Sequence, residues 1–345
     1  MFVRSSEAGA AKELLVSARR HGGRLAAARR AFPAAPAPWI DLSTGINPHP
    51  WRGVSPRHDG DTARRPDPTE TVELERIAAT AFGCLPENIA AVPGADIGLR
   101  LLPRLIRARD VAIVGPTYDG HREAWTAADT RVLEVSRADL GAVDADVIVV
   151  VNPNNPDGAV VGARELMTLA VRQRARKGWL VVDESFIEVT PEHSVAGAAG
   201  EGLIVLRSFG KFYGLPGHRL GFVLAGAPTI ARVRALTGDW PVTAGAIKVG
   251  VAAYADEAWR THTHVRLSAE STRLRRLLER HGFNIVGGTS LFQLAAHPAA
   301  DRAFVALAGA GILVRLFDHN PQWLRFGLPT ARSWKRLRAA LEACP

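Results

Sequence analysis

Four short runs constrain this chain most: residues 111–114, 147–151, 180–182 and 203–206 are aliphatic, rich in β-branched side chains and free of charge. Strands buried on both faces of a parallel sheet read this way, because neither face alternates with solvent. Helical stretches such as 163–177 separate some of them. That alternation predicts an α/β domain with a mainly parallel sheet, whose ligands gather beyond the carboxyl ends of the strands.

Each run gives way to polar residues: Tyr118 after the first, Asn152-Pro-Asn-Asn-Pro-Asp-Gly158 after the second, Asp183 after the third, Ser208-Phe-Gly-Lys211 after the fourth. A lysine at such an edge is partly desolvated, which favours the neutral amine that condenses with an aldehyde. An aspartate at the neighbouring strand end suits a protonated pyridine nitrogen. Upstream, 89–92 is a further strand, and Gly94, Ala95 and Asp96 open a helix whose free amides would receive a phosphate. Taken singly, Asn-Pro and Pro-Gly pairs mark turns and Tyr118 reads as core; the functional reading rests on the set.

The 345 residues suffice for one large domain plus a smaller one. After about residue 235 the pattern changes to helices over 244–254 and 257–280, then short apolar runs at 284–286, 291–295, 312–314 and 324–327. This divides the chain into an N-terminal arm (1–45), a large α/β domain (46–235) and a small α+β domain (236–345). The arm begins with an amphipathic helix over 11–20, a turn at His21-Gly22-Gly23 and an Ala/Pro-rich extended stretch.

A formal charge of +9, mostly arginine scattered on helical stretches, favours an anionic small substrate over nucleic acid, since no zinc-finger spacing, aromatic RNA motif or basic arm accompanies it. Two distant cysteines imply neither a disulfide framework nor a metal site, and fit a reducing cytoplasm. No uncharged apolar run reaches the roughly 18 residues of a membrane span, and the N-terminus does not read as a signal peptide.

In this order, the polar residues resemble the fold-type I pyridoxal-5′-phosphate (PLP) enzymes across nearly the whole chain. The most specific stretch is SFGKFYGLPGHRLG at 208–221. The resemblance implies that Lys211 carries the cofactor as a Schiff base, that Ser208 and Arg219 hold its phosphate together with Gly94, Ala95 and Asp96, and that Asn155 bonds its 3-hydroxyl. It places Asp183 under the pyridine nitrogen and Tyr118 against the ring. Phe186 stands where many relatives have a tyrosine. Arg65 precedes Pro66-Asp67-Pro68 where aminotransferase relatives have a tyrosine donated across a homodimer interface, so its role stays open.

Arg325 in WLRFGLP resembles the family's carboxylate-binding arginine, and Arg315 in GILVRLF the extra arginine of enzymes acting on phosphorylated amino acids. HGGRL (21–25), DLSTGINPHPW (41–51), GPTYDGHREAW (115–125) and DWPVTAGAIKVGVAAYADEAW (239–259) are similar to the threonine-phosphate decarboxylases of cobalamin synthesis, which implies that His21, Gly22 and Asn47 help hold the substrate, alongside Asn155. The implied reaction converts L-threonine O-3-phosphate to (R)-1-amino-2-propanol O-2-phosphate and CO₂. A histidinol-phosphate aminotransferase is the nearest alternative, and a non-catalytic PLP-fold regulator a more distant one.

Overall fold

The computed structural model describes residues 14–15, 18–19, 21–53 and 63–345. The helix expected over 11–20 falls mostly outside them. The chain divides into two compact units: residues 50–155 with 159–261, and residues 1–49 with 156–158 and 262–345.

The larger unit is built on seven strands, β1 (Ile89–Val92), β2 (Asp110–Val114), β3 (Arg131–Val135), β4 (Val147–Val151), β5 (Trp179–Asp183), β6 (Leu203–Ser208) and β7 (Gly221–Leu224), in the order β1-β7-β6-β5-β4-β2-β3. Only β7 runs antiparallel to its neighbours. Five of the seven were legible as apolar runs, because every residue of β1 and β4 and nearly every residue of β2, β5 and β6 is buried. Two were not. Edge strand β3 carries Arg131 and Glu134 and is half-exposed, while β7, though buried, is four residues long and begins within the Lys211 motif itself.

The sheet has two distinct faces. Asp183 pairs in register with Leu206, so Val181, Asp183, Ile204, Leu206 and Ser208 share one face, and Glu184 and Arg207 fall on the other. The helix Ala95–Leu105 packs on the first face with such closeness that a Cβ at Gly98 would stand 3.0 Å from Val223 and 3.4 Å from Leu206. Trp125, fully buried, joins the same core. The opposite face is covered partly by helix Pro68–Phe82, started by an Asp67/Glu70 capping box.

The helix Ala244–Ala255 belongs to the large unit, although the change of pattern in the sequence falls at residue 235. Its Gly250 lies against Pro68–Phe82, where a Cβ would meet Leu74 at 2.7 Å. Packing of this kind leaves no mark on the spacing of either helix.

The smaller unit has a four-stranded antiparallel sheet in the order Arg315–Leu316, Trp323–Gly327, Phe292–Ala296, Asn284–Thr289. The N-terminal segment joins it through a parallel pair, Ile40–Asp41 with Ile312–Leu313. Helix Leu25–Ala31 interrupts the arm between the glycine turn and the Ala/Pro stretch. The long helix Glu257–Arg280 contributes its residues from 262 onward to this unit.

Candidate active site

In the larger unit, the residues singled out from sequence for the cofactor gather at the sheet edge formed by the carboxyl ends of the parallel strands and the amino end of antiparallel β7. Gly94, Ala95 and Asp96 follow β1, Tyr118 follows β2, Asn155 follows β4, Asp183 ends β5 and Ser208 ends β6 with Lys211 three residues on, while Arg219 precedes β7, whose amino end lies at this same edge because it runs antiparallel. One edge of one sheet therefore collects them.

Gly94 is the N-cap of Ala95–Leu105, with φ 92°, a left-handed conformation that glycine adopts without strain. A Cβ there would come within 2.8 Å of Arg219 Nη2. A guanidinium thus stands beside the start of a helix, where the first amides are left without intrahelical acceptors and the dipole is positive. Arg219 itself takes φ 49° and is exposed. This donor set suits a phosphate.

Asp183 is buried, its Oδ2 2.9 Å from His121 Nε2 and its Oδ1 accepting the Ser185 amide at 2.9 Å. Burial alone would push its carboxyl up; the His121 and Ser185 hydrogen bonds and the charge on His121 outweigh that and hold it below its ordinary value. A carboxylate kept ionised in a dry site is what a protonated ring nitrogen requires.

Tyr118 donates to Asp96 Oδ1 at 3.2 Å, and burial, then the Asp96 charge, pushes its phenol up, so it stays protonated. Its ring lies across Gly120, where a Cβ would be 2.4 Å from Cε1; only glycine permits that placement. Lys211 Nζ lies 5.5 Å from the centroid of the Phe186 ring. The turn after β4 is held by Asn152, which exchanges hydrogen bonds with Val161, and by Asn154, which donates to the Pro116 carbonyl and accepts from Thr117. Arg65 rests on the exposed face of Trp240, 4.6 Å from its centroid. Lysine, ionised aspartate, aromatic ring and phosphate cradle fit a phosphorylated pyridine aldehyde.

The substrate candidates, Asn155 apart, fall in the smaller unit. Arg315 and Arg325 are register partners across an antiparallel pair and both are buried. Arg325 Nη2 donates to the Ser43 carbonyl at 2.8 Å and its guanidinium packs on Phe292. Burial, then repulsion by Arg315, lowers its affinity for its proton, with Asp41 opposing; a guanidinium keeps its charge in such settings, so the same forces favour an incoming anion. Ser43 Oγ accepts the Gly23 amide at 2.7 Å, and Gly22 abuts the Ser43 carbonyl so closely that a Cβ would stand 2.3 Å from it. His21-Gly22-Gly23 therefore folds onto the residue that Arg325 grips. Asn47 is buried, its Oδ1 accepting the His49 amide, and His49 in turn pairs with Glu270 at 2.9 Å.

Sequence reasoning overlooked His121. It sits three residues after Tyr118 in GPTYDGH, on helix Asp119–Thr126, and nothing local signals that it meets Asp183, 62 positions away.

The aminotransferase class I and II family matches residues 37–343, and the chain belongs to that family. Within it, the chain is 39% identical over 325 residues to the threonine-phosphate decarboxylase of Pseudomonas aeruginosa, spanning 93% of this chain and 96% of that one. It is 41% identical over 329 residues to the threonine-phosphate decarboxylase of a Sinorhizobium species, spanning 93% and 97%. Against histidinol-phosphate aminotransferase 3 of Mesorhizobium japonicum the identity is 26%, over 83% of this chain and 82% of the other. The crystal structure of histidinol-phosphate aminotransferase from Sinorhizobium meliloti in complex with pyridoxal-5′-phosphate superposes with a TM-score of 0.80 at 21% identity, covering 92% and 93%, a likeness of fold. Among the described residues, no helix is long and apolar enough to cross a membrane and no cluster of potential metal ligands occurs.

Proposed function

We propose that this chain is a PLP-dependent decarboxylase that converts L-threonine O-3-phosphate to (R)-1-amino-2-propanol O-2-phosphate and CO₂, a step of cobalamin synthesis. The observation that carries this reading is the likeness to the two threonine-phosphate decarboxylases, end to end and well above that to the histidinol-phosphate aminotransferase. When bound, PLP supplies an electron sink for the pair released as the bond from Cα to the carboxylate breaks.

In this reading Lys211 holds the cofactor's aldehyde, and its Nζ, once released by substrate, returns a proton to Cα in place of the lost CO₂. Asp183 keeps the proton on the ring nitrogen, and His121 keeps Asp183 oriented and ionised. Arg219, Ser208 and the Gly94-Ala95-Asp96 turn hold the cofactor phosphate; Tyr118 and Asn155 set the ring. Arg315 and Arg325 take the substrate's anionic groups, with His21, Gly22 and Asn47 closing the arm on them. Binding of the anions orients Cα, and orientation decides which bond breaks.

The same reading carries a homodimer and a cytoplasmic location. Light scattering of the purified protein checks the first: a monomer at working concentration removes any role for a partner subunit.

The deciding experiment incubates the PLP-loaded protein with L-threonine O-3-phosphate, with and without 2-oxoglutarate. Aminopropanol phosphate and CO₂ formed without the oxo acid uphold the proposal. Glutamate as a product, or turnover of histidinol phosphate alone, replaces it with an aminotransferase.

A further inference from the structure

Behind the cofactor face, on the other side of the same two strand ends, lies a buried ionic group that the reaction does not use. Arg207 Nη1 is 3.0 Å from Glu184 Oε2, and Nη2 is 2.8 Å from Glu188 Oε1. The side chains are 7%, 0% and 7% exposed, so all three charges are out of water. Glu184 is further bound by the Val195 amide at 2.7 Å and the Ser194 hydroxyl at 2.7 Å, and the guanidinium lies against the Phe82 ring at 4.1 Å. Tyr213 and Tyr254 border the group, and Arg260 donates to the Tyr254 carbonyl.

Stability does not account for such a group. Desolvating three charges costs much of what their attraction returns, and hydrophobic replacements of buried ion triads are often neutral or stabilising. The triad supplies direction instead: a planar fork with fixed prongs accepts only one placement of its partners.

That placement bears on the site through the chain. Glu184 directly follows Asp183, Glu188 closes the loop after it, and Arg207 precedes Ser208, four residues before Lys211. The Glu184 amide also donates to the Leu206 carbonyl at 2.9 Å, so backbone and side chains tie the two strand ends at one level. We infer that Arg207 is a positioning residue, holding through Glu184 and Glu188 the ends of β5 and β6 in the mutual placement that Asp183, Ser208 and Lys211 need to bind PLP and transfer the proton. The inference rests on the proposed function, since it takes Lys211 and Asp183 to be the cofactor's partners.

The test compares the wild-type chain with the neutral triple variant Glu184→Gln/Arg207→Met/Glu188→Gln, which removes all three charges and strands none. Three quantities are read: the thermal midpoint of the cofactor-free protein, PLP affinity together with the pH at which the lysine-bound absorption band titrates, and kcat. The expected result is an unchanged or raised midpoint with PLP bound at least about tenfold more weakly, a displaced band titration, and kcat lower by about 10²-fold, the cost of small misplacements at a reacting centre. A triple variant with wild-type affinity, titration and kcat overturns the inference. So does one that no longer folds without cofactor, because the triad would then be a stabilising element. A wild-type protein that never acquires the absorption band overturns the proposed function and the inference with it; a wild type with the band and an indifferent variant removes the inference alone.

Discussion

The two units of this chain bury charge differently. In the larger one buried carboxylates are held by side chains of the same chain: Asp183 by a hydrogen bond from His121, and Glu184 and Glu188 by Arg207. In the smaller one two buried guanidiniums, Arg315 and Arg325, stand in register and repel each other, with Asp41 opposing that repulsion at Arg325. The first arrangement holds a fixed set of groups in fixed places. The second sets two like charges side by side, and their repulsion favours an incoming anion.

The contrast breaks most readily at the lysine. Lys211→Ala should abolish turnover, by more than about 10⁴-fold for loss of both the cofactor attachment and the proton donor, and the absorption band of the loaded protein should vanish. Retained decarboxylation would take chemistry away from the larger unit altogether.

Next in size is Asp183→Asn, expected to lower kcat by about 10³-fold, comparable with other lost electrostatic partners in dry sites. Its pH behaviour sharpens the point. Because the carboxyl is held below its ordinary value, it stays ionised above about pH 4, and its contribution is lost only as pH falls through that lowered value. The variant should therefore depress the whole pH–rate profile without moving its limbs, and a displaced acid limb would mean that Asp183 titrates in the working range.

Arg325→Met tests the other side. Loss of a charged partner for a bound anion should reduce kcat/KM for L-threonine O-3-phosphate by about 10²-fold, mainly through KM. The ligand-free protein, relieved of one of two neighbouring buried positive charges, should keep or gain thermal midpoint, whereas Glu184→Ala in the compensated triad should lose about 3 kcal/mol or more. Equal destabilisation by both would erase the distinction between the units. The smallest effect is that of His121→Phe, which keeps a ring but no donor: about tenfold in PLP affinity, with about 1–3 kcal/mol of stability lost for an unsatisfied buried carboxylate, read by cofactor titration and thermal denaturation.

How much of this was legible from residues alone depends on how far each signal reaches. β2, β4, β5 and β6 were visible because burial on both faces writes an unbroken apolar run into several consecutive residues, and the polar groups after them were visible because a parallel sheet delivers all its strand ends to one edge. The motif at 208–221 carried the lysine, the serine and the arginine within a span shorter than one strand–loop–strand passage.

The rest was decided by contacts between distant segments. His121 meets Asp183 across 62 positions, Arg207 finds Glu184 across 23, and Gly23 reaches Ser43 beside Arg325 from an arm that reads as a plain loop. Gly250 assigns its helix to the larger unit by letting Leu74 approach. The sequence by itself determined the fold class, the sheet edge and the types of group gathered there, since periodicity and spacing are local and survive in one dimension. Only the tertiary structure decided which charges are compensated from within, because burial and partnership are properties of side chains brought together by folding and carry no local pattern of their own.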